Sequence, residues 1–297
     1  MPILLFACFF LLTAGISLAQ RKCSGFVCDN RLVSKAVYLV LNSLVGCAAF
    51  FLLAGFRLYV DGKIAFFGFL LSFACVGNVL SGLYALKYCL AAGVTSVQNG
   101  GSMVILSALG FLLWNEAPTA FRLAAIAVML IAIYCIFKET KTGNVQEAPL
   151  GKRLLFLGLV LLFWVMTTVV NKLFVEACGE THKNSYFFMT NVFMVLYGVV
   201  FVAIYCIRHP FPKETVGALI QPKRMVWIAG NTVIGNLQTL VGLMLVSMVE
   251  VSVYSTVSTS LAILSGVVVS AILRQKMTKF TYISVVLAII AVILQAL

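Results

Sequence analysis

The stretch that decides the fold runs from Val251 to Leu273 and reads VSVYSTVSTSLAILSGVVVSAIL. It has no charged residue over more than 20 positions, which is the length that a helix needs to cross the hydrocarbon core of a bilayer. A second run of this kind, Ile64–Leu86, lies in the first half of the chain. A transmembrane β-strand would show alternating polarity instead. These runs therefore predict membrane-spanning helices.

The composition of the whole chain agrees with a membrane protein. Of the 297 residues, 62% are hydrophobic and 10% are charged, whereas a soluble domain is about half apolar and about a quarter charged. The loops between apolar runs are too short for a separate soluble domain, and no Gly-rich run ending in Gly-Lys-Ser/Thr indicates nucleotide hydrolysis. At about 22 residues per span, the chain has room for roughly ten helices. The predicted spans are 2–20, 33–56, 64–86, 90–114, 119–137, 153–176, 185–207, 225–248, 251–273 and 279–297.

The two halves of the chain resemble each other. A shift of about 159 residues places Ala91 and its following span on Glu250 and its span, and at a shift of 158 Gly77-Asn78 falls on Gly235-Asn236. The sequence therefore predicts a first five-helix repeat at 1–137, a polar linker at 138–152 and a second repeat at 153–297. Because five is odd, the repeats enter the membrane in opposite senses, which is typical of secondary transporters. The alternative is that two apolar helical hairpins are alike in composition alone.

Two segments of the first half resemble a known family. They read ALKYCLAAGVTSV from Ala85 to Val97 and LLWNEAPTAFRL from Leu112 to Leu123. They are similar to the first repeat of the EamA-like branch of the drug/metabolite transporter superfamily, and Ser247–Thr281 is similar to its second repeat. The resemblance implies a ten-helix transporter with a central cavity and alternating access, and it implies no particular substrate.

The basic residues predict the orientation in the membrane. Of the 21 Lys and Arg residues, 16 lie in the loops after odd-numbered spans and 5 lie on the other side. Cytoplasmic loops are enriched in Lys and Arg, so these 16 are predicted to be cytoplasmic and both termini to lie outside a plasma or inner membrane. The family that the chain resembles usually has the opposite arrangement. The net charge of +12 is expected to attract anionic lipid headgroups, not nucleic acid.

The residue types needed for intramembrane catalysis are missing from the predicted spans. All nine acidic residues lie in loops or near span ends, and the two histidines, His182 and His209, lie in loops. We therefore expect no enzyme activity, no metal site and no cofactor. Proton-coupled export of organic cations is disfavoured, because no carboxylate lies mid-span. A membrane scaffold or receptor without transport is the alternative from another class.

Neutral polar side chains near the span centres form the predicted substrate site. Burying an unpaired amide costs on the order of 1–3 kcal/mol, so these groups are expected to face protein or a water-filled cavity. Helix packing is the alternative role, since Ser, Asn and Gly also join membrane helices. Gly100-Gly101, where the family usually has proline, permits either a bend or close packing. The predicted substrate-binding residues are Asn78, Gln98, Asn99, Ser102, Trp164, Thr168, Asn171, Lys172, Asn236, Gln238, Tyr254 and Ser258.

The predicted function is secondary transport of a small polar metabolite, neutral or zwitterionic, such as an amino acid. An antiporter of nucleotide sugars or other anionic metabolites is the alternative within transport. That ligand needs deep cations, and the supply is essentially Lys172, in the inner part of the sixth span, and Lys87, at the end of the third. Either lysine alternatively extends its ammonium group to the membrane interface. The expected partners are the small-molecule substrate and the lipid bilayer, with the oligomeric state left open.

Overall fold

The computed structural model of the chain describes residues 2–27, 32–88, 97–139, 150–179, 181–211, 213–272 and 279–296. These residues are almost all helical, and none of them belongs to a β-strand. Apolar runs form helices because a helix satisfies its backbone hydrogen bonds within one segment, as a bilayer requires. The predicted all-α membrane class is confirmed.

The helices follow the apolar runs along the chain. In the first half they are α1 (Pro2–Val27), α2 (Leu32–Leu53), α3 (Gly62–Tyr88), α4 (Ser102–Leu113) and α5 (Ala120–Glu139). A π-helical turn, Val97–Gly101, directly precedes α4. In the second half they are α6 (Leu150–Cys178), α7 (Lys183–Arg208), α8 (Lys213–Leu219), α9 (Pro222–Met248), α10 (Val251–Ile272) and α11 (Lys279–Ala296).

Six of the described helices are long and apolar enough to cross a membrane. They contain the segments Val33–Leu53, Gly62–Gly82, Gly151–Cys178, Lys183–Ile207, Pro222–Met248 and Val251–Val269. Shorter apolar segments are Ile3–Ile16, Gln98–Leu113, Ala120–Cys135 and Tyr282–Leu294. The chain is therefore a multi-pass membrane protein, and the count of ten spans stays a prediction. Most of the predicted linker, 140–149, lies outside the described residues, as does the start of the fourth predicted span.

Packing divides the chain into two compact units. Unit 1 comprises Met1–Ala14, Gly77–Lys172 and Gly242–Leu297, and unit 2 comprises Gly15–Val76 and Leu173–Val241. Each unit contains segments from both halves of the sequence. The packing units and the predicted repeats are thus different divisions of the chain.

The core of unit 1 joins α4, α5 and α11. Met103 of α4 and Met129 of α5 are fully buried together with three alanines, namely Ala132, Ala288 and Ala291. Small side chains at these positions let membrane helices approach closely, which is how such helices gain packing energy. A second cluster brings Leu106 of α4, Val165 of α6 and Val251 of α10 together.

The core of unit 2 is built on α2, α7 and α9. Phe50 of α2 stacks on Phe187 of α7, with ring centroids 5.2 Å apart. The short helix α8 was not predicted from the sequence. Its Leu219 packs against Val37 of α2 and Ile228 of α9, which explains how a seven-residue helix is held in place.

Candidate functional site

A π-helical turn lies directly before α4. Its sequence is Val-Gln-Asn-Gly-Gly, and π turns within helices frequently mark functional sites. A Cβ atom on Gly100 would collide with Ile133 of α5, and one on Gly101 would lie 3.0 Å from Leu161 of α6. Neighbouring side chains therefore fill the space of the missing Cβ atoms, which is the packing role, and the bending role stays a prediction.

The carbonyl of Asn99 joins this turn to α10. Its oxygen accepts a hydrogen bond from Ser102 Oγ at 2.9 Å and another from Thr259 Oγ1 at 3.1 Å. Both hydroxyl residues are buried. A buried carbonyl must be paired to avoid a desolvation cost, and here two hydroxyl groups pair with it.

Helix α10 has a buried hydroxyl face and a more accessible face. Ser107 Oγ of α4 lies 3.5 Å from Ser255 Oγ, and Ser260 Oγ donates to Met129 Sδ at 3.7 Å. The buried hydroxyl face consists of Ser252, Ser255, Thr256, Thr259 and Ser260. The sequence analysis did not single out this packing face, although its residues recur at helical spacing.

The accessible face of α10 carries two of the predicted site residues, Tyr254 and Ser258, which are both partly exposed. The ring of Tyr254 meets Phe9 of α1 edge to face, with centroids 6.3 Å apart. Its hydroxyl oxygen lies 3.2 Å from where a Cβ atom on Gly242 would be. Glycine at 242 therefore leaves room for the Tyr254 hydroxyl.

Two predicted residues, Asn78 and Trp164, are sequence neighbours of a contact between α3 and α6. Phe163 fills the space beside Gly77. In the chain, Asn78 comes directly after Gly77, and Trp164 comes directly after Phe163. Both are partly exposed, as are Thr168 and Asn171 further along α6. In contrast, Leu162 on the same helix is 58% exposed, as expected of a lipid-facing side chain.

Lys172, also a predicted site residue, contacts the end of another helix. Its Nζ donates a hydrogen bond to the Val246 carbonyl oxygen at 3.2 Å. Val246 belongs to the last turn of α9, where carbonyls lack partners within the helix and the helix dipole favours a cation. The ammonium group therefore caps the C-terminus of α9.

Glu116 is a polar group that the sequence analysis assigned only to a span end. Its carboxylate accepts hydrogen bonds from the backbone N–H groups of Val251 at 2.6 Å and Ser252 at 3.0 Å, in the first turn of α10. Asn115 has φ of 51°, a left-handed conformation that ends α4 and turns the chain. Glu116 is only 8% exposed. A carboxylate at a helix N-terminus is stabilising, so Glu116 caps α10 from the corner between α4 and α5.

Next to this cap, Arg122 forms a salt bridge with Glu250, the residue just before α10. Arg122 also donates to the carbonyl of Ala117 at 3.1 Å. The corner between α4 and α5 is therefore tied to the start of α10 by two carboxylates. In the sequence, the sign of this arrangement is an acid at 116 followed by a base at 122. The partners of these two side chains, at the start of α10, could not be identified from spacing.

Two predicted residues, Asn236 and Gln238, lie on α9 in unit 2, and the other ten belong to unit 1. Asn236 and Gln238 are partly exposed. Earlier on α9, Asn231 Nδ2 donates to the Tyr38 hydroxyl at 3.0 Å, and Thr232 Oγ1 donates to Asn42 Oδ1 at 2.6 Å. Of the twelve predicted residues, Ser102 is buried and the other eleven are partly exposed.

Comparison with known proteins gives information on the fold. No family model and no curated protein matches this chain. Among solved structures, 28 chains are similar to it. One of them, described as the crystal structure of a protein, has a TM-score of 0.65 and 15% sequence identity, over 99% of this chain and 95% of that chain. At this identity the similarity shows a shared fold alone.

Proposed function

We propose that this protein is a secondary transporter that moves a small polar metabolite, neutral or zwitterionic, by alternating access. The proposal includes ten membrane helices in two inverted five-helix repeats. It also includes membership of the EamA-like branch of the drug/metabolite transporter superfamily, which the segments Ala85–Val97 and Leu112–Leu123 resemble.

The observation that carries the proposal is the contact between Asn99 and Thr259. A shift of about 159 residues relates Asn99 to Ser258 and Gly100 to Thr259. Asn99 and Thr259 are therefore one residue away from occupying equivalent positions in the two predicted repeats. A contact of this kind is expected where a pseudo-two-fold axis passes between related helices.

The direction of the two helices supports the same arrangement. Thr259 contacts Asn99 just before α4, and Ser255, earlier on α10, contacts Ser107, later on α4. Along the contact, residue numbers increase on the α4 side while they decrease on α10, so the two helices are antiparallel there. Inverted repeats require their corresponding helices to be antiparallel in this way.

The accessible polar residues of unit 1 support a neutral or zwitterionic substrate. Amides and hydroxyls are costly in contact with hydrocarbon, so partly exposed ones are expected to line a water-filled cavity. The members of this set are Gln98, Asn99, Thr168, Asn171, Tyr254 and Ser258. Because the Lys172 ammonium group contacts the Val246 carbonyl, an anionic substrate receives less support.

The orientation forms part of the proposal. The 16 basic residues after odd-numbered spans favour cytoplasmic odd-numbered loops and external termini in a plasma or inner membrane. In intact cells, an impermeant maleimide is expected to label a single cysteine introduced at the C-terminus. A single cysteine introduced into the 138–152 linker is expected to be labelled only after permeabilisation. A C-terminus that is protected outside and labelled only after permeabilisation would favour the family's usual orientation.

Counterflow in proteoliposomes tests the proposed activity. Vesicles loaded with an unlabelled amino acid are expected to accumulate the same labelled amino acid from outside, with saturation. Trp164→Ala is expected to weaken this exchange, whereas Leu162→Ala, on the lipid-facing side of the same helix, is the matched control. Exchange of nucleotide sugars alone would instead favour the antiporter, and no exchange by folded protein would favour a scaffold.

A further inference from the structure

We propose that the side-chain amide of Asn236 donates hydrogen bonds to the carboxylate of a zwitterionic substrate. This inference rests on the proposed transport function and names the chemical group that Asn236 recognises.

The amide nitrogen of Asn236 is buried and has no hydrogen-bond partner among the residues that the structure describes. The amide nitrogens of other asparagines in unit 2 are paired: Asn184 Nδ2 donates to the Leu53 carbonyl at 3.1 Å, and Asn191 Nδ2 donates to the Phe187 carbonyl at 2.8 Å. On α9 itself, Asn231 Nδ2 donates to Tyr38. A buried unpaired donor is destabilising, so a ligand that supplies an acceptor gains from pairing with it.

The surroundings of Asn236 leave room for such a ligand. A Cβ atom on the preceding residue, Gly235, would meet no described atom of another helix within 4 Å. The Asn236 side chain as a whole is partly exposed. Because χ2 of asparagine has a broad, roughly two-fold preference, the amide group can rotate to meet a bound acceptor.

The position of Asn236 indicates what the ligand group is. Asn236 lies at the middle of α9, whose only charged residues, Lys223 and Arg224, are in its first turn. A zwitterion has no net charge to neutralise, but its carboxylate must exchange water for donors on entering the protein. Hydrogen bonds to a carboxylate are about twice as strong as those between neutral groups, so an amide with two free N–H groups suits this task.

The first experiment uses stability and needs no ligand. Asn236→Leu replaces an unpaired amide with an apolar group of similar size, so the purified protein is expected to unfold at a higher temperature, by about 2–4 °C. Asn231→Leu is the matched control, and it is expected to lower the unfolding temperature because it removes the bond to Tyr38. An unchanged or lower temperature for Asn236→Leu would mean that the amide is already paired, which overturns the inference.

The second experiment measures the binding of L-alanine, L-serine, L-leucine and L-phenylalanine to the purified protein. Their decarboxylated counterparts are ethylamine, ethanolamine, isopentylamine and phenethylamine. Wild-type protein is expected to bind at least one amino acid and not its amine. Asn236→Asp and Asn236→Leu are expected to raise the Kd for that amino acid at least tenfold.

The space beside Gly235 gives a third variant. Gly235→Val is expected to reduce exchange while the protein stays folded, whereas Gly230→Val, at another open glycine of α9, leaves exchange unchanged. Equal effects of these two variants would contradict a ligand beside Gly235.

The outcomes separate the inference from the proposed function. If wild-type protein exchanges no amino acid, the proposed function fails. If wild-type exchange is normal and the Asn236 variants keep the wild-type Kd, only the inference fails. Equal binding of an amino acid and its amine would likewise overturn the role of the carboxylate.

Discussion

Gly77-Asn78 of α3 and Gly235-Asn236 of α9 are the same dipeptide at corresponding positions of the predicted repeats, and their surroundings differ. The space beside Gly77 is filled by the Phe163 ring, whereas among the described residues no atom of another helix lies within 4 Å of the equivalent point beside Gly235. The glycine thus serves close packing in unit 1 and leaves open space in unit 2. A repeated motif therefore does not imply a repeated environment.

Individual polar groups of the two units also differ in whether the structure pairs them. In unit 1, the first N–H groups of α10, which have no partner within the helix, are paired with Glu116, and the Asn99 carbonyl is paired with two hydroxyls. In unit 2, the Asn236 amide nitrogen is buried and unpaired among the described residues. Paired groups stabilise the fold, whereas an unpaired group is a candidate for binding a ligand.

The largest expected difference in stability is between valine substitutions at Gly77 and at Gly235. Gly77→Val places side-chain atoms against the Phe163 ring, and overpacking of this kind is expected to cost about 3 kcal/mol of unfolding free energy. Gly235→Val is expected to change stability by less than about 0.5 kcal/mol, because the site is open and valine favours a helix slightly more than glycine. Denaturation of both purified variants in detergent measures the difference.

A double variant sharpens this prediction. Phe163→Ala added to Gly77→Val is expected to recover part of the lost stability, since it removes the ring that the valine meets. If Gly77→Val is no less stable than Gly235→Val, the contrast between the two dipeptides is wrong.

Glu116→Gln tests the paired polar groups of unit 1. A Gln side chain keeps one acceptor oxygen and loses the charge, so one N–H group of α10 loses its partner, at an expected cost of about 2 kcal/mol. Glu250→Gln is the matched control and is expected to cost less than about 1 kcal/mol, because Glu250 is exposed and such ion pairs contribute little.

The same variants also test ion coupling. Because the Glu116 carboxylate is occupied in capping α10, counterflow exchange is expected to persist in Glu116→Gln. A variant that keeps exchange but loses uptake driven by a proton gradient would show instead that Glu116 carries the coupled proton.

The smallest expected effect concerns the hydroxyls of α10. Thr259→Val removes the bond to the Asn99 carbonyl and is expected to cost about 1 kcal/mol. Thr256 is equally buried, but its hydroxyl donates within its own helix, to the Ser252 carbonyl. Thr256→Val is therefore expected to cost about 0.5 kcal/mol or less. Thermal unfolding of the two variants compares them, and equal losses would mean that the contact between α10 and the π turn adds no stability.

Much of the fold could be predicted because each helix is encoded locally. The run Val251–Leu273 predicts a helix, and the structure has α10 over Val251–Ile272. Local patterns also indicated that Gly100-Gly101 is special, although the choice between bending and packing depended on Ile133 and Leu161 of other helices. The short helix α8 was missed because seven residues between basic loops carry too weak a periodic signal.

The candidate site was less predictable, because a polar residue near a span centre has two physical uses. Ser102 and Lys172 were both predicted to bind substrate; Ser102 is buried against the Asn99 carbonyl, and Lys172 caps the last turn of α9. Glu116 was assigned to a span end, since nothing near it in the sequence reveals that its partners lie more than a hundred residues away.

The sequence by itself determined that this chain is a multi-pass helical membrane protein, because the absence of charge over a bilayer's length is a property of each segment alone. Only the tertiary structure decided which polar groups are paired and which glycine faces open space. Identical dipeptides have identical local preferences, so the difference between Gly77-Asn78 and Gly235-Asn236 comes from the side chains that other helices bring beside them.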